Sequence, residues 1–243
     1  MNRGKQMGRL WKKLAALLLA GVLTGCSAPA EEMQQPVERS LFAMNTYMTF
    51  TVYGEDAQAA LQEAEECIQQ VEGLWSVTDE NSEIYQANHS GGQPVTVSEE
   101  TAQIISFALE MAQRTGGALD PTIYPVLTAW GFTTDSKQVP SQQQIAQLLE
   151  QVGYDRIQLN GSELTVPDGM ELDLGAVGKG YTADLVTEIL RRHGVTSALI
   201  SLGGNIQAIG SCPDGSDWRL GIRAPWESGN LGVLTVSDAA VVT

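Results

Sequence analysis

The sequence predicts an α+β fold, a mixed α/β sandwich in a single domain. Apolar residues recur at helical spacing in some segments and alternate with polar residues in others. The two kinds of segment follow one another without the strict alternation that predicts a parallel α/β sheet. Once an N-terminal leader is set aside, the chain is long enough for one sizeable core.

The first half of the chain contains one predicted strand and two predicted helices. Residues 47–53 alternate between polar and apolar side chains, which predicts a strand. Residues 56–75 carry an apolar stripe that predicts an amphipathic helix. A second helix follows Ser98, which can cap it, and ends at Gly116-Gly117.

The second half adds a helix, a hairpin, a helix and a strand in that order. Ser141 and Gln144 form a capping box for a helix whose apolar face ends before Gly153. Residues 157–166 predict a hairpin with Asn160-Gly161 in its turn. A helix is then expected from Tyr181 to Gly194, and a buried strand at 198–202.

The N-terminus has the pattern of a lipoprotein leader. Residues 1–25 place basic residues before an apolar run that is short for a membrane span, which predicts a secretory signal peptide. Leu23-Thr24-Gly25-Cys26 resembles a bacterial lipobox, which implies cleavage before Cys26 and a lipid on its sulfur. An ordinary signal peptide that happens to contain a cysteine is the alternative. We therefore expect a lipid anchor on the extracytoplasmic side of the cell membrane, a linker at 26–40 and a folded domain at 41–243.

The charge balance excludes nucleic acid as a partner. Five of the 14 basic residues and none of the 29 acidic ones lie in residues 1–25, so 9 basic against 29 acidic residues leave −20. Contacts with phosphate groups need lysine and arginine, and in this domain the acidic residues outnumber these two. The same charge disfavours an anionic membrane surface, so the lipid is the expected tether. Cys67 and Cys212 lack the spacing of a metal site or a disulfide framework and are expected to be small core residues.

The segment from Asp173 to Tyr181 carries the first chemical signal. It places a carboxylate after a short apolar run, then a glycine-rich turn, and then Lys179 at the expected start of a helix. A helix N-terminus with a lysine suits a phosphate, and backbone carbonyls in a turn can bind a hard cation. The pattern is not a Walker loop, because Gly180 follows the lysine where a hydroxyl is needed. A plain strand-to-helix connection is the alternative.

A second signal lies between Gly116 and Phe132. Pro121 keeps Asp120 out of a helical conformation, so the carboxylate stands in a turn or an extended segment. The aromatic pair of Trp130-Gly131-Phe132 is also compatible with an ordinary core position.

Together these segments resemble the FAD:protein FMN transferases, also called ApbE-type flavin transferases. Five blocks stand in the order of that family: Met44-Asn45-Thr46, Ser82-Glu83-Ile84 with Asn88, Ala118 to Thr122 with Trp130-Gly131-Phe132, Asp173 to Tyr181, and Leu202 to Asn205. Five blocks in order are far more specific than any one block. The chain departs from the family pattern at Asn45, Leu119 and Asn205.

The resemblance implies roles for individual residues. Met44 would pack on the flavin, Ala118, Leu119 and Asp120 would line the FAD site, and Asp173 and Lys179 would contact FAD. The carbonyl of Ala176 would bind Mg²⁺. Thr78 stands at about the position where the family often has an aromatic residue. A threonine there cannot stack on the flavin or the adenine from that side. The resemblance assigns no catalytic residue.

The implied activity is the transfer of FMN from FAD to a threonine or serine hydroxyl of a partner protein, with release of AMP. The implied acceptors are flavoprotein subunits of sodium-pumping quinone reductase or Rnf-type complexes. Three alternatives stay open: an FAD pyrophosphatase that yields FMN and AMP, a flavin-binding lipoprotein without turnover, and a solute-binding lipoprotein.

Family members continue into a segment that supplies acidic metal ligands, whereas this sequence stops soon after Ala239. We therefore expect the C-terminal part of the fold to be missing and the chain as given to bind FAD poorly and to be inactive. We also expect the strand at 231–236 to lack a neighbour and to expose an edge.

Overall fold

A computed structural model describes residues 35–132 and 136–242. The predicted signal peptide, Cys26 and most of the predicted linker lie outside these residues. No helix within the described ranges is long and apolar enough to cross a membrane.

The chain folds into ten strands and six helices within the described ranges. In chain order they are β1 (Val37–Ala43), β2 (Thr46–Tyr53), α1 (Ala57–Trp75), α2 (Glu83–Asn88), β3 (Val95–Thr96), α3 (Glu99–Arg114), α4 (Tyr124–Ala129), α5 (Gln142–Leu149), β4 (Gln158–Asn160), β5 (Glu163–Thr165), α6 (Gly175–Arg192), β6 (Ser197–Leu202), β7 (Asn205–Ile209), β8 (Trp218–Arg223), β9 (Asn230–Val236) and β10 (Ala240–Val241). A single 3-10 turn at Tyr154–Arg156 precedes β4. The α+β prediction is confirmed.

The main sheet has five antiparallel strands in the order β1-β2-β6-β7-β10. The alternation predicted for residues 47–53 is present, since Met48, Phe50 and Val52 are buried and point to one face. Helices α1 and α6 pack against each other and cover this face, which encloses the first hydrophobic cluster. Two successive glycines with positive φ, Gly203 and Gly204, form the tight turn between β6 and β7.

A second hydrophobic cluster lies around the small sheet β3-β5-β4. The C-terminal half of α1 contributes Val71 and Trp75, and helices α2 and α3 complete the enclosure. Leu172, Leu174 and Val177 belong to the same cluster, so the entry into α6 is anchored in it. From Gln35 onward the chain forms one compact unit with two adjoining apolar clusters.

The predicted helix caps are confirmed. The Ser98 side chain accepts a hydrogen bond from the Thr101 amide, and Ser141 and Gln144 make both hydrogen bonds of a capping box. The apolar face predicted for α5 is not in the core, however. None of its residues is buried and Leu149 is 48% exposed, because this short helix packs mainly beside α4 at the periphery.

The glycine-rich segment predicted as a turn is already helical. Helix α6 begins at Gly175, six residues before the expected start at Tyr181, and Lys179 therefore lies in its second turn. The burial of Val177 and Gly178 explains the difference, because tertiary packing overrides the low helix propensity of glycine.

Three further expectations need correction. The expected linker to residue 40 ends earlier, because β1 begins at Val37 and pairs with β2 along its whole length. The strand at 231–236 does have a neighbour, since β9 pairs with β8. Phe132 is 70% exposed and Trp130 is 36% exposed, so this aromatic pair is not buried core.

Candidate functional site

The structure brings the Asp120 and Asp173 segments side by side. The Asp173 amide donates a hydrogen bond to the Pro121 carbonyl at 2.8 Å. Next to this contact, Ile123 and Glu171 form a parallel bridge. The two segments found separately in the sequence are therefore adjacent in the fold.

Asn88 fixes the extended segment that leads to Asp173. Its side-chain oxygen accepts the Leu172 N–H at 2.7 Å, and its amide group donates to the Leu172 carbonyl at 2.9 Å. The two residues are 84 positions apart, and this pair of hydrogen bonds satisfies both backbone polar groups of Leu172. The sequence contained Asn88 in a family block, but nothing in the sequence indicated that Leu172 is its partner.

Both carboxylate oxygens of Asp120 accept hydrogen bonds from other residues of the chain. One oxygen accepts the Thr122 amide at 2.9 Å and the Thr122 hydroxyl at 2.6 Å, and the other accepts the Tyr154 amide at 3.1 Å. The Thr122 oxygen in turn accepts the Gly153 amide at 2.8 Å. Asp120 therefore shapes the loop at 118–122 and joins it to the 3-10 turn.

Asp173 stands at the N-terminus of α6. Its carboxylate accepts the Gly175 amide at 2.9 Å, which satisfies one of the unpaired N–H groups of the first helical turn. Burial raises the pKa of this carboxyl, while the Gly175 amide and the charge of Lys179 act in the opposite direction. Lys179 is half-buried and makes no ion pair with any described residue.

Ala176 is exposed in the first turn of α6. As a helical residue it directs its carbonyl along the helix axis, where one lone pair serves the helix and the other can accept a further ligand. Among the described residues, no group of three or more histidine, cysteine, aspartate or glutamate side chains is placed to hold a metal. The candidate oxygen donors at the start of α6 are the Ala176 carbonyl and, three positions earlier, the Asp173 carboxylate.

Met44 lies in the turn between β1 and β2, close to α6. Its sulfur is 3.7 Å from the Thr182 hydroxyl, and its amide donates to the Glu72 carboxylate at 2.6 Å. This turn also meets the turn between β6 and β7, because the Thr46 side chain packs directly on Gly203. The first and last family blocks are thus adjacent, beside the helix that carries Lys179.

Three predicted site residues are less well connected. Thr78 is exposed, and its hydrogen bonds to other described residues are local ones to Ser76. Ala118 is exposed, and Leu119 packs partly against the second cluster. Two concave surfaces lie elsewhere, one at Arg223–Ser228 and one on the outer side of α6, and neither includes a predicted site residue.

Known proteins with similar sequences are flavin transferases by name. An FAD:protein FMN transferase from Treponema pallidum is 30% identical over 228 residues, which cover 84% of this chain and 63% of the relative. An FAD:protein FMN transferase from Klebsiella pneumoniae is 31% identical over 210 residues, which cover 84% of this chain and 64% of the relative. The chain thus spans slightly less than two thirds of the length of these relatives.

Solved structures share the fold. The crystal structure of the ApbE protein from Thermotoga maritima superposes with a TM-score of 0.80 at 27% identity, over 85% of this chain and 69% of that one. The flavin transferase ApbE from Vibrio cholerae gives a TM-score of 0.77 at 24% identity, over 85% of this chain and 70% of that one. The ApbE family model matches residues 44–243. This chain therefore belongs to the ApbE family.

Proposed function

We propose that the protein transfers FMN from FAD to a threonine or serine hydroxyl of a partner flavoprotein and releases AMP. The observation that carries the proposal is the convergence of separate segments at the start of α6. The Met44 turn, the Pro121 loop and Asp173 are all joined to this region by direct contacts. The names of the relatives support the same reaction.

Each part of the site has a proposed role toward FAD. Met44 packs on the flavin, and Ala118 and Leu119 line the site. Lys179 meets the phosphate charge, which is consistent with the absence of a carboxylate partner for it among the described residues. Asp120 acts through the loop whose shape it fixes, because its two oxygens are already engaged.

In the proposed reaction the acceptor hydroxyl oxygen bonds to the FMN-side phosphorus. The bond from this phosphorus to the bridging oxygen breaks, and the bridging oxygen leaves with AMP while the hydroxyl proton passes to solvent. Such a transfer depends mainly on alignment of the nucleophile and on neutralisation of the phosphate charge. Lys179 and the N-terminus of α6 supply positive potential on this side.

Magnesium is part of the proposal. A phosphate-bound Mg²⁺ usually takes one or two carboxylates, phosphate oxygens of the substrate and water. The exposed Ala176 carbonyl would add one neutral donor to such a site. When bound, the ion would neutralise charge on the FAD diphosphate.

A product analysis tests the proposal. The purified full-length protein is incubated with FAD, with or without Mg²⁺, and with a partner peptide that contains a threonine, and AMP, free FMN and peptide-linked flavin are measured over time. AMP with peptide-linked flavin supports the transferase. AMP with free FMN indicates an FAD pyrophosphatase instead, and bound FAD without AMP indicates a flavin-binding lipoprotein; either result contradicts the proposal.

We further propose that Cys26 carries the lipid that holds the protein at the extracytoplasmic face of the cell membrane. The support is the lipobox-like Leu23-Thr24-Gly25-Cys26 after a basic and apolar leader. The variant Cys26→Ala is expected to carry no lipid and to keep its leader, because both lipidation and processing by the lipoprotein route require this cysteine. An unmodified Cys26 in the intact mass of the membrane-bound wild type would refute the proposal.

A further inference from the structure

The turn between β1 and β2 contains two successive non-glycine residues in the left-handed conformation. Met44 has a φ of 49° and Asn45 a φ of 56°. Ala43 pairs with Thr46, so these two residues form the whole turn. Asparagine tolerates this conformation because its short polar side chain bonds locally, but methionine has no such compensation. A methionine kept in this conformation needs contacts elsewhere that stabilise it.

Glu72 of α1 provides such a contact. Its carboxylate accepts the Met44 N–H at 2.6 Å, across 28 residues of sequence. The N–H groups inside a two-residue turn are not used by the strand ladder, so this hydrogen bond is additional to the hairpin's own. An acceptor that carries a full charge makes the bond stronger than a neutral one.

The turn held by Glu72 lies where several parts of the site meet. The Met44 side chain packs against both hydrophobic clusters, and its sulfur is 3.7 Å from the Thr182 hydroxyl. The Thr182 hydroxyl is also 2.8 Å from the Gly178 carbonyl, in the turn of α6 next to Lys179. A shift of the Met44 backbone would therefore change the surface between the β1–β2 turn and the start of α6.

We propose that Glu72 is a positioning residue for the flavin site. Its carboxylate fixes the Met44-Asn45 turn in the left-handed conformation and so sets the place of the Met44 side chain. The carboxylate acts on the ligand through this turn. This inference rests on the proposed function, because it concerns the same FAD site.

The test uses FAD titration of the full chain, with melting temperature and the absorption spectrum of the bound flavin as parallel readouts. In Glu72→Ala the FAD dissociation constant is expected to rise roughly tenfold, the range of one hydrogen bond to a charged group, with an altered flavin spectrum. Glu72→Gln keeps an acceptor oxygen and is expected to restore most of the affinity and the spectrum. Glu66→Ala removes an exposed carboxylate from the same helix and is the matched control, with affinity unchanged.

A second background covers the case in which Glu72→Ala does not fold. Glycine adopts the left-handed conformation with less strain than asparagine, so Asn45→Gly lowers the cost of the Met44-Asn45 turn as a whole and reduces its need for the Glu72 contact. The loss caused by Glu72→Ala is expected to be smaller in Asn45→Gly than in the native turn. Wild-type affinity and spectrum in Glu72→Ala, or an equal loss in Glu72→Gln, would overturn the inference while leaving FAD binding intact. A wild type that binds no FAD would overturn the proposed function and this inference with it.

Discussion

The two ends of helix α6 differ in how their charges are used. At the N-terminal end, Asp173 is bonded to a backbone amide and Lys179 makes no ion pair with any described residue. At the C-terminal end every basic residue is paired: Arg191 bonds to Asp238 at 3.0 Å and Arg192 to Glu63 at 2.8 Å. His193 lies between Asp56 at 2.5 Å and Glu63 at 2.7 Å.

The comparison separates a proposed ligand site from a structural contact. Positive charge at a helix C-terminus is favourable to the helix dipole, and here it also connects α6 to α1. Positive charge near the N-terminus opposes the dipole, so the helix dipole does not stabilise the charge of Lys179. An anionic ligand at this end would be attracted both by Lys179 and by the helix N-terminus. We therefore expect substitutions at the two ends to affect different measurements.

The largest effect is expected at Lys179. Lys179→Ala should weaken FAD binding roughly tenfold or more, because a charged contact to phosphate contributes about 1.5–3 kcal/mol. The melting temperature should change little, since the ammonium has no partner among the described residues. Arg114→Ala is the control, because it removes an exposed charge whose carboxylate contact is with Glu110. Equal FAD titration curves for Lys179→Ala and wild type would remove Lys179 from the site.

The next effect is expected at Asp173. Asp173→Asn keeps an oxygen that can accept the Gly175 amide but removes the charge. We expect FAD affinity to fall roughly threefold to tenfold, in the range of one hydrogen bond, with a smaller effect on melting. A large loss of melting temperature at normal FAD affinity would instead assign Asp173 a purely structural role.

At the opposite end, His193 is expected to make stability depend on pH. The hydrogen bond to Asp56, followed in size by the one to Glu63, raises the pKa of His193 above its ordinary 6.5. The hydrogen bond to His193 is the main cause that lowers the pKa of Glu63 below its ordinary 4.5. The charged ring therefore stabilises the fold fully below pH 6.5 and loses this contribution as pH rises through the raised pKa. The carboxylate contributes above pH 4.5 and loses its contribution as pH falls through the lowered pKa.

The measurement is the difference in melting temperature between wild type and His193→Gln across this range. The difference should be largest between pH 4.5 and 6.5 and should shrink as the medium becomes alkaline. FAD affinity should not change, because this cluster lies at the far end of α6. A difference that stays constant with pH would contradict the assigned charge on His193.

The smallest effect is expected for Arg191→Ala. Its partner Asp238 and the guanidinium are both more than half exposed, at 60% and 55%, so solvent screens the pair. We expect a melting temperature close to that of wild type and unchanged FAD binding. A loss of FAD affinity here would show that the two ends of α6 are not independent.

The local signals in the sequence were sufficient for much of the fold. Periodicity and caps located α1, α3 and β2, and a short apolar run located β6. These features depend on residues close together in the chain, where propensity and side-chain spacing act directly. The order of the five blocks also identified the family before any contact was known.

Other features depend on distant residues and were decided only by the tertiary structure. The helical start at Gly175 requires burial of Val177 and Gly178, which glycine propensity opposes. The segment of β1 up to residue 40 was expected to be linker. Its polar and charged residues form a strand because they pair with β2, and this pairing is not visible in the local sequence.

The same division holds for the site. The sequence indicated Asp120 and Asp173, but folding decides what each carboxylate contacts. Asp120 is engaged by Thr122 and Tyr154, whereas Asp173 stands at a helix start near an unpaired lysine. The sequence by itself determined the family and the residues that stand at the positions of its blocks. Only the tertiary structure decided which of these side chains still have polar atoms free to contact a ligand. The reason is that hydrogen bonds between distant segments engage some polar atoms and leave others without a protein partner among the described residues.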